Sequence, residues 1–229
     1  MKLAIIPARG GSKRIPRKNI KSFCGKPMIA WSIEAALTSG CFDSVIVSTD
    51  DDEIADVARA HGAEVPFMRP PELSDDYTGT IPVVAHAVHC MSELVGPVQY
   101  ACCLYATAPF VRAQDLCKGF DVLQQSNAQY AFTVTSYPFP IQRAIRIRPD
   151  ERVEMLNPEH FNTRSQDLEE VFHDAGQFYW GQSSAWLSHL TIFGENSVPV
   201  ILPRERVQDI DTVDDWKVAE FKFRFLESD

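Results

Sequence analysis

The chain alternates short, almost wholly apolar runs with longer stretches in which apolar residues return at helical spacing. KLAIIPA, residues 2–8, has the continuous apolar character of a strand covered on both faces. KPMIAWSIEAALTSG follows as a helix that Gly40 stops, DSVIVSTD as a second buried strand, and DDEIADVARAHG as an amphipathic helix closed by Gly62. AEVPFMRP reads as a third, shorter strand. A helix is expected from about Thr80 to Leu94, with Pro82 tolerated in its first turn. YACCLYATAPF is a further apolar strand ending at Pro109, and AQDLCKGFDVLQQS is the helix after it. This alternation predicts an α/β fold: a mostly parallel central sheet flanked by helices, with right-handed crossovers.

The rhythm then changes. YAFTVTSYPFPIQRAIRI reads as strand, Pro-rich turn, strand; residues 149–173 are polar and irregular; AGQFYWG resumes as a strand. VPVILP is expected as a last buried strand, and DIDTVDDWKVAEFKFRFL as a two-acid turn leading into a helix. The whole of 1–229 is read as one domain with an excursion at about 137–173, either a lid or a dimer contact, because long polar connections of this kind are usually functional.

Charge is distributed unevenly over this pattern. There are 22 Lys and Arg against 31 Asp and Glu, a net of −9, yet eight of the cations fall in the first 26 residues, where there is no acid. Five of them, with two adjacent glycines, lie in IPARGGSKRIPRKN, residues 6–19, directly after the first strand. Such asymmetry points to a local anion site and excludes a generally basic surface coating a nucleic acid. A solvated basic arm is the plainer alternative, but the paired glycines and two prolines favour a shaped loop. A hydrophobic content of 45% excludes disorder. No apolar run approaches the roughly 18 residues that span a bilayer, and LAII is too short for a secretory signal. The six cysteines show no CxxC spacing and read as reduced, mostly core thiols, which places the protein in the cytoplasm with no membrane partner.

Anions belong at the carboxyl ends of parallel strands, where loops and helix N-termini gather. The basic loop sits at such a place. Gly10 and Gly11 allow close backbone approach to a polyphosphate, and Arg9, Lys13 and Lys18 would neutralise it. Neither GxxxxGK[ST] nor GxGxxG is present.

Taken whole, IPARGGSKRIPRKNIKSFCGKPMIAWSI resembles the nucleotide-binding signature of the sugar nucleotidyltransferases, and in particular the CMP-sialic acid synthetase (acylneuraminate cytidylyltransferase) family. VIVSTDDDEIADVA, RPPELSDDYTGT, ATAPF and DIDT extend the resemblance along nearly the whole chain, and FPIQRA, FNTRSQDLEE and HDAGQFYWG are most similar to its pseudaminic acid branch. Where the sialic acid branch usually reads LQPTSP, this chain has Leu104-Tyr105-Ala106-Thr107-Ala108-Pro109, which points away from sialic acid itself. The resemblance implies a Rossmann-like nucleotidyltransferase fold, CTP as donor, a nine-carbon sugar acid as acceptor, Mg²⁺ as cofactor, a homodimer, and a place in glycan synthesis such as flagellin glycosylation. By position it implies that Arg9, Ser12 and Lys18 hold the triphosphate, Ala8 and Gly10 contact the nucleotide, and Asn19 reaches the cytosine. Arg69, Thr78 and Thr80 form a second nucleotide-contacting segment, Tyr105 and Thr107 lie near the sugar, and Asp209 and Asp211 hold the metal. Arg9, Lys18, Asp209 and Asp211 are then the residues that serve the reaction.

The chemistry agrees with these residue types. Transfer of a nucleotidyl group to a sugar acid brings two anions together, so cations and a metal must cancel charge and align atoms. Mg²⁺ takes one or two carboxylates and keeps its other positions for water and phosphate. In an extended segment Asp209 and Asp211 point to one face. Helix punctuation explains Thr212, Asp214 and Asp215 as caps but leaves the two upstream acids unaccounted for. No covalent nucleophile is needed. A sugar carboxylate suits an arginine, with Arg143 and Arg164 in the excursion as candidates and surface or interface ion pairs as their alternative. Gln166 and Gln177 are candidates for sugar hydroxyl or acetamido groups. His160 and His173 are weaker candidates, His86 and His89 are expected on a solvated helix face, and Phe178, Tyr179 and Trp180 are expected in core or interface. Two other readings stay open: activation of legionaminic, N-acetylneuraminic or deoxy-octulosonic acid, and a non-catalytic nucleotide-binding subunit.

Overall fold

The computed structural model describes residues 1–228. In chain order these form β1 (Lys2–Pro7), the two-residue β2 (Ser22–Phe23) and β3 (Lys26–Pro27), α1 (Met28–Ser39), β4 (Ser44–Ser48), α2 (Asp52–Ala60), α3 (Thr80–Val95), β5 (Tyr100–Leu104), α4 (Ala113–Ser126), β6 (Tyr130–Ser136), β7 (Ile145–Ile147), β8 (Val153–Met155), β9 (Phe172–Gln182), α5 (Ser183–Leu187), β10 (Ser197–Ile201) and α6 (Val213–Leu226). The main sheet has six strands in the order β10-β6-β9-β5-β1-β4. Pairs β1–β4, β1–β5 and β6–β10 are parallel, and β9 runs antiparallel between β5 and β6.

Strand alternation divides the core. Ala4 and Ile6 face α1, α2 and α4 through Ile29, Ile33, Ile54, Leu116 and Phe120. Leu3 and Ile5 face α3 and α5 through Val84, Val88 and Trp186. The strands thus bury both faces, which is why they read as unbroken apolar runs. A third cluster seats α6 against the start of the chain, with Phe23, Ile210, Trp216 and Phe223 in contact. It brings the far end of the chain to the basic loop.

Helix ends follow local chemistry. Gly40 takes φ 64° at the end of α1, and its N–H donates to the carbonyl of Leu37. Thr212 and Asp215 form a reciprocal capping box at the start of α6.

Four expectations change. AEVPFMRP forms no strand: it touches β4 only through the single bridges Ile46–Glu64 and Thr49–Met68, because Pro66 and Pro70 cannot donate to a ladder. VPVILP does form β10, but as an edge strand with only Val200 buried among its five residues. Only Cys102 and Cys103 of the six free cysteines are buried, the other four being half-buried. His89 is exposed, whereas His86 is half-buried against Phe67. Phe178, Tyr179 and Trp180 lie in the core.

Residues 137–171 stand outside the main sheet. β7 does not continue β6 but pairs with β8 in a separate two-stranded sheet. Its surface is more apolar than its sequence suggests: Phe139, Ile147, Val153 and Phe161 are all exposed.

Candidate active site

A cavity of about 280 Å³ opens where the loop after β1 meets the loops after β5 and before α3 and α6. Of the residues singled out from the sequence, Arg9, Ser12, Lys18, Asn19, Arg69, Thr78, Thr80, Tyr105, Thr107 and Asp211 line it. So does Lys13, expected from the sequence to neutralise a polyphosphate, and Arg14 joins them, so four cations of one short loop converge on one space. Arg14 was missed in the sequence, although its place in the basic run was the available signal.

Each cation is matched to an acid or a carbonyl. Arg9 lies 2.7 Å from Asp76, which also takes the Lys13 ammonium. Arg14 lies 2.9 Å from Asp211. The Lys18 ammonium donates to the carbonyl of Ile210 at 2.6 Å and to Asp211 at 3.4 Å, although 193 positions separate the two side chains. Arg69 is buried, donates through Nε to Ser74 at 3.2 Å, and lies 3.7 Å from Asp50. Burial lowers its pKa, Asp50 works against that shift, and Arg9 adds to it.

Several N–H groups of the loop are already engaged within the protein. The N–H of Ala8 donates to Ser48, that of Gly10 to the Asp50 carboxylate at 3.0 Å, and that of Ser12 to Gly10. A Cβ at Gly10 would come within 2.6 Å of the Asp51 carboxylate, so Gly10 is required by the approach of Asp51. The Asn19 amide donates to the carbonyl of Arg9 at 3.0 Å and fixes where that residue leaves the strand. Thr80 and Tyr105 share a hydrogen bond of 2.9 Å between their hydroxyls. Ala8 and Gly10 shape the cavity wall without lining it.

Asp209 is exposed beside the cavity. Desolvation by neighbouring atoms and then the charge of Asp211 push its pKa up, against the pull of Lys18. Two like charges that disfavour each other, both hard oxygen donors, fit a divalent cation such as Mg²⁺. Among the described residues no cluster of three His, Cys, Asp or Glu side chains is placed to hold a metal.

The remaining candidates lie elsewhere. Gln177 is buried, with its amide donating to the Arg206 carbonyl at 2.6 Å and its Oε1 unpartnered. Arg143 is exposed and reaches only Ser165, at 3.4 Å; Arg164 is paired with Asp167 at 2.6 Å. Gln166 lines a separate surface cavity of the excursion. A second cavity of about 390 Å³ shares Gly79, Thr80 and Tyr105 with the first and is otherwise walled by Ile81, Pro82, Asp174, Tyr179, Thr191, Ile192 and Phe193. Neither its apolar wall nor Asp174 was singled out, because the residues come from three distant segments.

No helix among the described residues is long and apolar enough to cross a membrane. Residues 3–199 match the family model described as cytidylyltransferase. The chain is 46% identical to the pseudaminic acid cytidylyltransferase of Campylobacter jejuni over 97% of its own length and 96% of that protein's. It is 30% identical to the CMP-N,N'-diacetyllegionaminic acid synthase of Legionella pneumophila over 95% and 94%. In three dimensions it resembles CMP:2-keto-3-deoxy-manno-octonic acid synthetase complexed with CTP, with a TM-score of 0.72 at 15% sequence identity, each chain covered to 99%. With residues 3–199 matching the family model and nearly the whole chain 46% identical to one of its relatives, this chain belongs to the cytidylyltransferase family.

Proposed function

We propose that the protein transfers CMP from CTP to the anomeric hydroxyl of pseudaminic acid, giving CMP-pseudaminic acid and pyrophosphate. The observation that carries this reading is the convergence of Arg9, Lys13, Arg14 and Lys18 with Asp211 on one cavity. The 46% identity to the Campylobacter jejuni enzyme supports the choice of acceptor.

In the reaction the anomeric oxygen bonds to the α-phosphorus, the bridging oxygen departs with pyrophosphate, and the hydroxyl proton passes to solvent. Arg9, Lys13 and Lys18 hold the β- and γ-phosphates and stabilise the charge that grows on the leaving group. Asn19 and the Arg69 segment seat the nucleoside. Asp209 and Asp211 would hold Mg²⁺, which would supply charge neutralisation for the triphosphate. The second cavity takes the sugar acid, its apolar wall suiting methyl and acetamido groups while Thr80, Tyr105 and Asp174 meet the polar ones. Shared walls bring the two substrates side by side, and that alignment lowers the barrier by several kcal/mol.

A homodimer is part of the same reading. The exposed Phe139, Ile147, Val153 and Phe161 of the excursion favour a dimer contact over a lid. Arg143 and Arg164 reach a sugar carboxylate in this scheme only from a second copy.

The test is pyrophosphate release with Mg²⁺ and CTP, offering pseudaminic, legionaminic and N-acetylneuraminic acids in turn, with Asp211→Ala as control. Release with pseudaminic acid, lost in the variant, is expected. Release with another acid keeps the mechanism and overturns the acceptor. Silence with all three, despite CTP binding, overturns the enzymatic reading.

A further inference from the structure

Residues 207–212 form a strap between a short turn at Arg204–Arg206 and α6, and they carry both candidate metal ligands. Ile210 anchors the strap in the core, and Lys18 holds its carbonyl from the loop side. At the end nearest α6, the Asp215 carboxylate accepts from the N–H groups of Asp211 at 3.2 Å and Thr212 at 2.7 Å.

The other end is held by a group with no role in the proposed reaction. Lys222, half-buried on α6, donates to the carbonyl of Val207 at 2.9 Å and to Gln208 Oε1 at 3.0 Å. Gln208 in turn donates through Nε2 to the carbonyl of Asp209 at 2.9 Å. A chain of three hydrogen bonds therefore runs from α6 to the main chain on either side of Gln208, next to the first of the two acids. Burial lowers the pKa of Lys222 against the pull of Glu205, and its close partners are a carbonyl and an amide oxygen. An ammonium held in a desolvated place against neutral oxygens carries a free-energy cost that a fully solvated lysine does not.

We propose that Lys222 is a positioning residue for the Asp209–Asp211 pair, acting through Gln208 to set the strap in the conformation that binds the divalent cation. This rests on the assignment of Asp209 and Asp211 as metal ligands. Groups hydrogen-bonded directly to a metal ligand typically govern affinity by about 10- to 100-fold, and Lys222, which acts through Gln208 and the main chain of Asp209, belongs at the lower end of that range.

The test is Mn²⁺ binding followed by electron paramagnetic resonance in the presence of CTP, with metal-free CTP binding and thermal midpoint measured alongside. Lys222→Met keeps the aliphatic stem and removes the donor. Its Mn²⁺ dissociation constant is expected to rise about 10-fold or more, while metal-free CTP affinity stays at the wild-type value. Turnover should then recover towards wild type as Mg²⁺ is raised, and Lys222→Arg should restore part of the affinity. Should Lys222→Met fail to fold, Gln208→Leu cuts the same chain from the strap side and is expected to weaken Mn²⁺ in the same way. Wild-type Mn²⁺ affinity in the folded variants, or equal losses of metal and metal-free CTP binding, overturns the proposal. Asp209→Ala/Asp211→Ala separates the two layers. If that variant binds Mn²⁺ like wild type, the ligand assignment falls and the positioning role with it. If it loses the ion while Lys222→Met and Gln208→Leu keep it, only the positioning role falls.

Discussion

Asp76 places its carboxylate 2.7 Å from the guanidinium of Arg9 and takes the ammonium of Lys13 on its other oxygen. Arg9 also donates to the carbonyl of the adjacent Asp75, whose side chain ties down the N–H groups of Tyr77 and Thr78. The loop that contributes Thr78, Gly79 and Thr80 to the cavity is thus pinned to two of its cations.

Asp76 is a rival for any triphosphate those cations bind. Its pair with Arg9 is partly open to solvent on both sides, at 35% exposure each, so solvent screens it and a bound polyphosphate can displace it. Asp76→Asn should therefore tighten metal-free CTP binding by about two- to fivefold, with less gain at high salt. Calorimetric titration at two ionic strengths checks this. Weaker binding in the variant would instead make Asp76 a support that holds Arg9 in its productive place.

Much of the fold was legible because both faces of the main sheet are buried, so β1, β4, β5 and the Phe178–Trp180 stretch of β9 appear as apolar runs without alternation. The same property hid the direction of β9. A strand buried on both faces reads alike whether its neighbours are parallel or antiparallel, and only its return from the excursion fixes its direction. β10 was misjudged because VPVILP is apolar, yet it lies at the sheet edge, where Ile201 remains exposed. In the site, Arg9, Ser12, Lys18 and Asn19 were legible since they share one contiguous loop. Asp76, Asp174 and Phe193 were not, because only the packing of separate segments brings them to the cavities. Gln177 shows the reverse: its place in AGQFYWG suggested a sugar contact, but strand alternation turns it inward to the Arg206 carbonyl.

Arg206 itself anchors the start of the strap. It is buried and donates to both oxygens of Asp115 in the first turn of α4, and its carbonyl receives Gln177. Removing one partner leaves an uncompensated buried charge, so Asp115→Ala should lower stability by about 3–5 kcal/mol. Replacing both with apolar residues, as in Asp115→Leu/Arg206→Met, should recover much of the loss. Urea unfolding measures both variants. A single-variant loss under about 1 kcal/mol would show that the pair is dispensable.

Gly181 tests the packing on the face opposite α1. A Cβ there would stand 2.5 Å from Trp186 Nε1 and 2.7 Å from the Tyr130 ring. Neither ring is free to step aside, since Trp186 donates to Ala101 at 3.1 Å and Tyr130 donates to Leu190 at 3.1 Å. Overpacking at such a site costs about 1–3 kcal/mol. Gly181→Ala should lose that much in urea unfolding while CTP affinity is unchanged. An unaltered midpoint would mean that the two rings are looser than their hydrogen bonds imply.

Asp51 gives the molecule a defined acid limb. Its carboxylate accepts from both terminal nitrogens of Arg17, at 2.6 and 2.8 Å, and caps α2 through the N–H of Ile54 at 3.0 Å. The Arg17 hydrogen bonds, only partly offset by desolvation, pull its pKa down to about 2 from 3.8. A folded-state pKa below the unfolded one means that the ionised form stabilises the fold. That contribution is complete above about pH 4 and is lost as pH falls through about 2. Arg17 is 37% exposed and Glu53 shares it, so after solvent screening the contribution is about 1 kcal/mol. Asp51→Asn keeps the helix cap but removes the titration. In urea unfolding from pH 6 to pH 2, the advantage of the wild type over this variant should be full at the upper end and shrink between pH 4 and pH 2. A difference that does not change with pH would assign the Asp51 effect to packing or capping, and not to its charge.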